Sequence, residues 1–510
     1  MLGRWGWETG EVSDSTKRPP RSRTPDSSAF REFISRNWAE ATRGPVNRAE
    51  VADYTATRRK ALIESLPEQL AGTTLVIPAG GESRRANDTD YPYRPHSGFT
   101  HLTGWGSTTT PESVLIIDTA ASPVSTRLYV RAPAGRDTDE FYANPAIGEF
   151  WTGPRPHLSD IEASLGIDVS ALDDWNEIPD DTLAHTVVVP DADDVLTTTL
   201  HFRRREVLGV DAAEALEQSD ALLAQQLAEL RFVKDAFEIE QLRQAIASTH
   251  RGFDDIITAI PRAVAIPRGE RVIESAFAAR ARLEGHDVGY GTIAAAGSHA
   301  CILHWVKNDG EVSSDDLLLV DAGVERDSLY TADITRTLPV SGRFSPTQRE
   351  VYEVVLEAAD AAFSVVKPGV GFREIHDAAM AVIATYTAQW GLLPGSAKQS
   401  LGPDGGWHRR YMIHGTSHHL GLDVHDCQQA RREVYVDQEL APGMVFTIEP
   451  GLYFQPDDLT VPEKWRGIGV RIEDNILVTA SGAENLSRAI PRTPDDVEAW
   501  VTRLRGQTGR

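Results

Sequence analysis

Residues 317–340 read LLLVDAGVERDSLYTADITRTLPV, and the placement of two acids in this stretch decides how the rest of the chain is read. The apolar run 317–320 ends directly at Asp321, which Ala-Gly follows, so the carboxylate falls where a buried strand gives way to a turn. Asp333 lies within YTADITRTLPV, again an acid among β-formers. An ionised carboxylate at the edge of a core needs a partner. Taken singly, each acid reads more readily as a turn residue or a solvent-facing side chain than as a metal ligand.

Two downstream segments have the same form. Glu449 ends the run MVFTI and is followed by Pro450-Gly451, and Glu473 sits in GVRIEDNILV behind Arg471. Strand alternation puts Arg471 and Glu473 on one face and Asp474 on the other, with a surface ion pair on an edge strand as the alternative. Ahead of both, IHGTSHHLGLDVH supplies His414, His418 and His425, while ILHW farther upstream supplies His304. Gly415 and Gly421 predict a loop here, and HGTSH lacks the Glu that a zincin helix carries after its first His. Packed or solvated histidines remain the alternative to ligands.

Around these segments the chain is mixed α/β. LVIP from Leu75, VLIID from Val114 and TVVVP from Thr186 read as buried strands, and apolar residues recur at helical spacing from Phe33 to Leu66. Residues 29–225 form a first α/β domain on this reading. An amphipathic stretch over 221–253 contains RFVKDAFEIEQLRQA, where the junction falls, and 226–500 form a second domain. In it, helices are predicted over 271–284, 349–366 and 372–390, and strands in GTIAAAG, DLLLVDAG, MVFTIEPGLY and GVRIEDNILV. Residues 1–28 mix Ser, Pro, Arg, Lys and Asp without periodicity and read as a flexible arm.

The bulk numbers exclude several classes. A chain of 510 residues exceeds one ordinary core, which favours two domains. Lys plus Arg number 51 against 75 Asp plus Glu, and the resulting charge of -24 repels a phosphate backbone, so nucleic acid is a poor partner. No apolar run reaches membrane-spanning or signal-peptide length, so neither membrane insertion nor secretion is expected. Cys301 and Cys427 form no disulfide framework and lack CxxC spacing, which fits reduced thiols in the cytoplasm.

The blocks CILHW, LLLVDAGVERDSLYTADITRTLPV, IHGTSHHLGLDVHD, FTIEPGLY and GIGVRIEDN, in this order, resemble the pita-bread metallopeptidase family of aminopeptidase P, prolidase and methionine aminopeptidase. YRPHSGFTHLTGW extends the likeness into the first domain, so that it covers residues from about 30 to about 490. The resemblance implies a smaller N-terminal α/β domain followed by a pita-bread catalytic domain. It carries the family's metal ligands onto Asp321, Asp333, His418, Glu449 and Glu473, with Asp333 and Glu473 bridging two metals. It carries the other site residues onto His304, His414, His425 and Arg471, and Glu449 doubles as the proton-transfer group.

Four carboxylates and one imidazole form a hard donor set suited to manganese, magnesium or cobalt, of which Mn²⁺ is preferred here. The implied reaction is attack of a hydroxide bridging two metals on the first peptide bond of a substrate with proline in second position. The HGxSHxLGLDVHD form favours the Xaa-Pro aminopeptidase branch. A prolidase, with Gly more often where Ser417 stands, is the alternative, and a catalytically inactive binding module is the alternative of another class. Family likeness also implies a homo-oligomer, dimer or tetramer. Thr100-His101 departs from the aromatic pair that many relatives carry before the TG step.

Overall fold

The computed structural model describes residues 25, 27–39, 44–87, 89–175 and 178–507. The predicted arm at 1–28 therefore lies almost wholly outside the described residues. The chain divides into two compact units, Met1–Leu227 and Ala228–Arg510.

The first unit is built on a five-stranded mixed sheet. Its strands are β1 (Thr74–Pro78), β2 (Val114–Asp118), β3 (Ser125–Val130), β4 (Asp168–Ala171) and β5 (Thr186–Val188), in the order β4-β3-β2-β1-β5. The three runs read as buried strands supply β1, β2 and β5. The helical spacing from Phe33 to Leu66 resolves instead into two helices, Ser28–Ile34 and Val51–Ser65. Asn37 turns left-handed at φ 59° beyond the first, and Phe33 is 77% exposed, so matched spacing there does not mark one buried face. Thr100 and His101 are buried on the short helix Ser97–Thr103.

The amphipathic stretch over 221–253 is two helices, Val210–Leu230 and Ala236–Val264, broken at 231–235. The break has a physical cause. Arg231 and Lys234 turn inward to the buried Asp426, at 2.9 Å each, and Asp235 then caps the next helix by accepting from Glu238 N–H.

In the second unit, β6 (Ile293–Ala296), β7 (Leu317–Ala322) and β8 (Ile334–Pro339) form one antiparallel sheet with β7 in the middle. β9 (Val445–Ile448) pairs with β12 (Asp474–Val478), and β10 (Gly451–Tyr453) with β11 (Gly469–Arg471). Helices α1 (Ala236–Val264), α2 (Gly269–Glu284), α3 (Pro346–Val365) and α4 (Phe372–Gln389) supply much of the apolar packing, with Phe253, Phe277, Tyr352 and Ile383 fully buried. The expected mixed α/β organisation is present. Among the described residues, no helix is long and apolar enough to cross a membrane.

Candidate active site

The predicted continuous strands through 444–453 and 469–478 are each interrupted where an acid stands. β9 ends at Ile448 and β10 starts at Gly451, leaving Glu449 in the gap, and β11 and β12 leave Glu473 in theirs. A residue released from ladder pairing can aim its side chain away from the sheet, and both acids line one cavity of about 470 Å³. Asp321 near the end of β7 and Asp333 just before β8 join them, and register pairs Asp321 with Thr335. Gly323 is required nearby, because a Cβ there would run into the carbonyl of Ala332.

The cavity is also lined by His304, His414, His418, His425 and Arg471, so it brings together every side chain singled out from the sequence. Arg471 and Glu473 are 3% and 1% exposed, so neither belongs to a surface ion pair on an edge strand; Arg471 pairs with Asp321 and Glu473 accepts from the Thr335 hydroxyl. Asp474 points elsewhere, to the buried Arg336 at 2.7 Å.

Asp333, His418 and Glu473 offer ligand atoms that all lie within 4.8 Å of one another. His418 Nε2 is 3.2 Å from Asp333 Oδ2 and 3.7 Å from Glu449 Oε1. Asp321 reaches the group through Tyr290, whose hydroxyl lies 2.6 Å from Asp321 Oδ1 and 2.5 Å from Asp333 Oδ1.

The electrostatics of the protein alone are unfavourable in a way that a cation would relieve. Burial, and then the neighbouring carboxylates, hold the Asp333 and Glu473 carboxyls above the usual range. Burial pushes Glu449 up to about 7, against the nearby His418 and Arg471. Glu473 Oε1 is buried without a hydrogen-bond partner. Oxygen donors with one imidazole suit a hard divalent cation, so the donor chemistry fits.

A hydrogen-bonded chain runs along one wall. Arg471 Nη2 donates to Asp321 Oδ2 at 2.6 Å and its Nη1 to the Tyr453 hydroxyl at 3.2 Å. That hydroxyl is 2.7 Å from His414 Nε2, while His414 Nδ1 is 2.6 Å from the Gly415 carbonyl. A carbonyl only accepts, so Nδ1 carries the proton and Nε2 accepts from Tyr453. Burial, then the Arg471 charge, lowers His414 to about 3, and burial with the charges of His418 and His304 lowers His425 to about 4. Both imidazoles are therefore neutral at neutral pH.

Tyr290 and Tyr453 were not singled out from the sequence. The only signal for Tyr453 is its place in FTIEPGLY, and Tyr290 in GYGTI carries none.

Residues 240–480 match the model of metallopeptidase family M24, and residues 55–189 match that of the aminopeptidase P N-terminal domain. Xaa-Pro aminopeptidase 2 of Streptomyces coelicolor is 46% identical over 92% of this chain and 95% of its own length. Xaa-Pro aminopeptidase 1 of the same organism is 42% identical over 97% of each. Among solved structures, Escherichia coli aminopeptidase P with the inhibitor Pro-Leu superposes with a TM-score of 0.74 at 29% identity, over 90% of this chain and 100% of that one. The chain belongs to metallopeptidase family M24, among the members that carry an aminopeptidase P N-terminal domain.

Proposed function

We propose that this chain is an Xaa-Pro aminopeptidase that uses two divalent metal ions, Mn²⁺ by preference, to remove the first residue from peptides with proline in second position. The observation that carries the reading is the convergence of Asp321, Asp333, His418, Glu449 and Glu473 on one cavity together with His304, His414, His425 and Arg471. Those five side chains would hold the ions. When bound, such ions lower the pKa of water toward neutrality and polarise the scissile carbonyl.

The remaining work falls to the protein's own groups. Glu449 is the most open of the carboxylates, with 17% side-chain exposure against 1% for Glu473, which leaves it best placed to move a proton to the leaving nitrogen. Neutral His414 is fixed by Tyr453 at Nε2 and by the Gly415 carbonyl at Nδ1, with Nδ1 3.7 Å from Glu449 Oε2, so the ring forms a rigid wall beside the reacting centre. Arg471 fixes the Asp321 carboxylate in place.

An Xaa-Pro bond is a tertiary amide without an N–H, so its site needs shape rather than an acceptor at that nitrogen. Ile293, Leu303 and Val306 supply an apolar wall, with His304 and His425 flanking it. The Pro-Leu bound by the E. coli relative is the leaving peptide that an Xaa-Pro-Leu substrate would release. A cytoplasmic location and a dimer or tetramer belong to the same proposal, the former consistent with two free buried thiols.

A peptide panel tests it. Xaa-Pro-Yaa peptides are expected to be cut at least as well as Xaa-Pro dipeptides and far better than Xaa-Ala-Yaa. Cleavage of dipeptides alone would make the chain a prolidase, and equal cleavage of Xaa-Ala would remove the proline pocket while leaving the metal site standing.

A further inference from the structure

His304 stands on residues 297–310, a short 3₁₀ helix (Gly297–Cys301) followed by irregular chain, whose cavity-facing side is poorly fixed by burial. Val306 is 51% exposed, and His304 is exposed as well. Its flanks are anchored, with Ala300 and Cys301 buried and Asn308 bonded to the Ala294 N–H and the Thr292 carbonyl, whereas exposed His304 lies between the only partly buried Leu303 and Trp305. One carboxylate from the first turn of α2 fastens this stretch from beneath.

Glu270 is fully buried, and its two oxygens each meet two N–H donors. Oε1 lies 2.9 Å from the backbone N–H of Ala296 and 2.8 Å from His299 Nδ1. Oε2 accepts from Trp305 Nε1 at 2.8 Å and from the backbone N–H of Gly310 at 2.7 Å. The backbone N–H of Glu270 donates in return to the Gly310 carbonyl at 3.2 Å. The segment is thus fastened at its start, its middle and its end to a single side chain.

Two details show that the clasp is built for close approach. A Cβ on Gly310 would lie 2.7 Å from Glu270 Oε2 and 2.6 Å from a carbon of the His299 ring, so only glycine admits the backbone there. The His299 and Trp305 rings stack at 3.8 Å with 27° between planes, which orients both of their donors toward the same carboxylate. Trp305 directly follows His304, so fixing its indole fixes the backbone from which His304 projects.

We propose that Glu270 is a positioning residue for the reaction, acting through residues 297–310 to set where His304 stands in the cavity. The inference rests on the reading of His304 as a substrate-facing group. A misplacement of about 1 Å at such a group costs up to about a hundredfold in rate.

The test is a double-mutant cycle on the metal-loaded enzyme with an Xaa-Pro-Yaa peptide. Glu270→Gln keeps the shape but turns one acceptor into a donor facing two N–H groups, and is expected to lower kcat/KM by about ten- to a hundredfold. Bound metal, measured by elemental analysis, is expected to stay at the level of the unaltered protein. In a His304→Ala background the same change is expected to cost nothing further, an outcome that a general loss of structure would not give. Trp305→Phe removes a single donor while retaining the stacked ring, and is expected to show the same coupling with a smaller loss; it serves as the test if Glu270→Gln does not fold. Losses that multiply with His304→Ala, in either variant, would overturn the inference while leaving His304 its role. Full activity of His304→Ala alone would overturn that reading of His304, and the inference with it.

Discussion

Arg471 Nη2 donates to Asp321 Oδ2 at 2.6 Å across 150 residues of sequence, joining β11 to β7 inside the cavity. Both groups are charged and nearly buried, so the pair is held by geometry on each side. Arg471 continues to Tyr453, and Tyr453 to His414. An acid assigned to metal and a histidine assigned to substrate are therefore parts of one network.

Tyr453→Phe tests that network, because it deletes the hydroxyl and leaves the ring. His414 Nε2 then loses its donor, and Arg471 Nη1 loses an acceptor. The expected result is a fall in kcat of about tenfold, equivalent to ~1.4 kcal/mol, with metal content unchanged. Unaltered kcat would mean that His414 needs no support from this wall.

Much of the site was legible in sequence because a carboxylate at the end of an apolar run is costly to bury alone. That signal found Asp321 and Glu449, and the order of the blocks supplied the rest. Tyr290 and Glu270 were not legible, since a hydroxyl in GYGTI and an acid in a helical first turn break no local pattern. Their partners lie 31 to 43 and 26 to 40 residues away and meet them only in the folded chain. The break at 231–235 was hidden for the same reason, because Asp426 lies 192 residues beyond Lys234.

Metal removal gives a pH-dependent prediction. A carboxyl whose pKa is higher in the fold than in the unfolded chain favours folding below the unfolded value, and that contribution is lost as pH rises through the folded value. Glu449 is pushed from 4.5 to about 7, chiefly by burial, so the metal-free protein is expected to lose stability between those pH values. Adding Mn²⁺ should restore it, most strongly at and above pH 7, where the ligands bind without competition from protons. Thermal melts of chelated and reloaded protein across pH check this, and a metal-induced shift that is larger at pH 5 than at pH 7.5 would contradict it.

Asp426 should behave in the opposite sense. Burial opposes its charge, but Lys234 and Arg231 outweigh that and hold its carboxyl well below the usual range. Its contribution is present above about pH 4, the unfolded value, and is lost as pH falls from there toward the folded value. Asp426→Asn leaves two buried cations short of their partner and is expected to cost about 3–5 kcal/mol near neutral pH, with a lower Tm. The penalty should shrink in acid, and equal melting of both proteins at pH 7 would show that the cluster is not what fastens the junction segment.

Tyr290 offers the most direct test of how the donor set is arranged. Its hydroxyl lies against both Asp321 and Asp333, yet it is itself no candidate ligand. A group that orients ligating carboxylates raises affinity by limiting them to the geometry the ion needs, and losing such a partner costs about ten- to a hundredfold in affinity. Burial and the adjacent carboxylates raise the Tyr290 pKa well above 10, so it stays a neutral donor throughout the working pH range. Tyr290→Phe should therefore weaken Mn²⁺ binding at every pH from 6 to 9, while activity at saturating Mn²⁺ recovers to within a few-fold of the unaltered enzyme. Unchanged affinity in a metal titration would mean that the two aspartates hold their positions without it, through Arg471 on Asp321 and the Asn475 side chain on the Asp333 backbone.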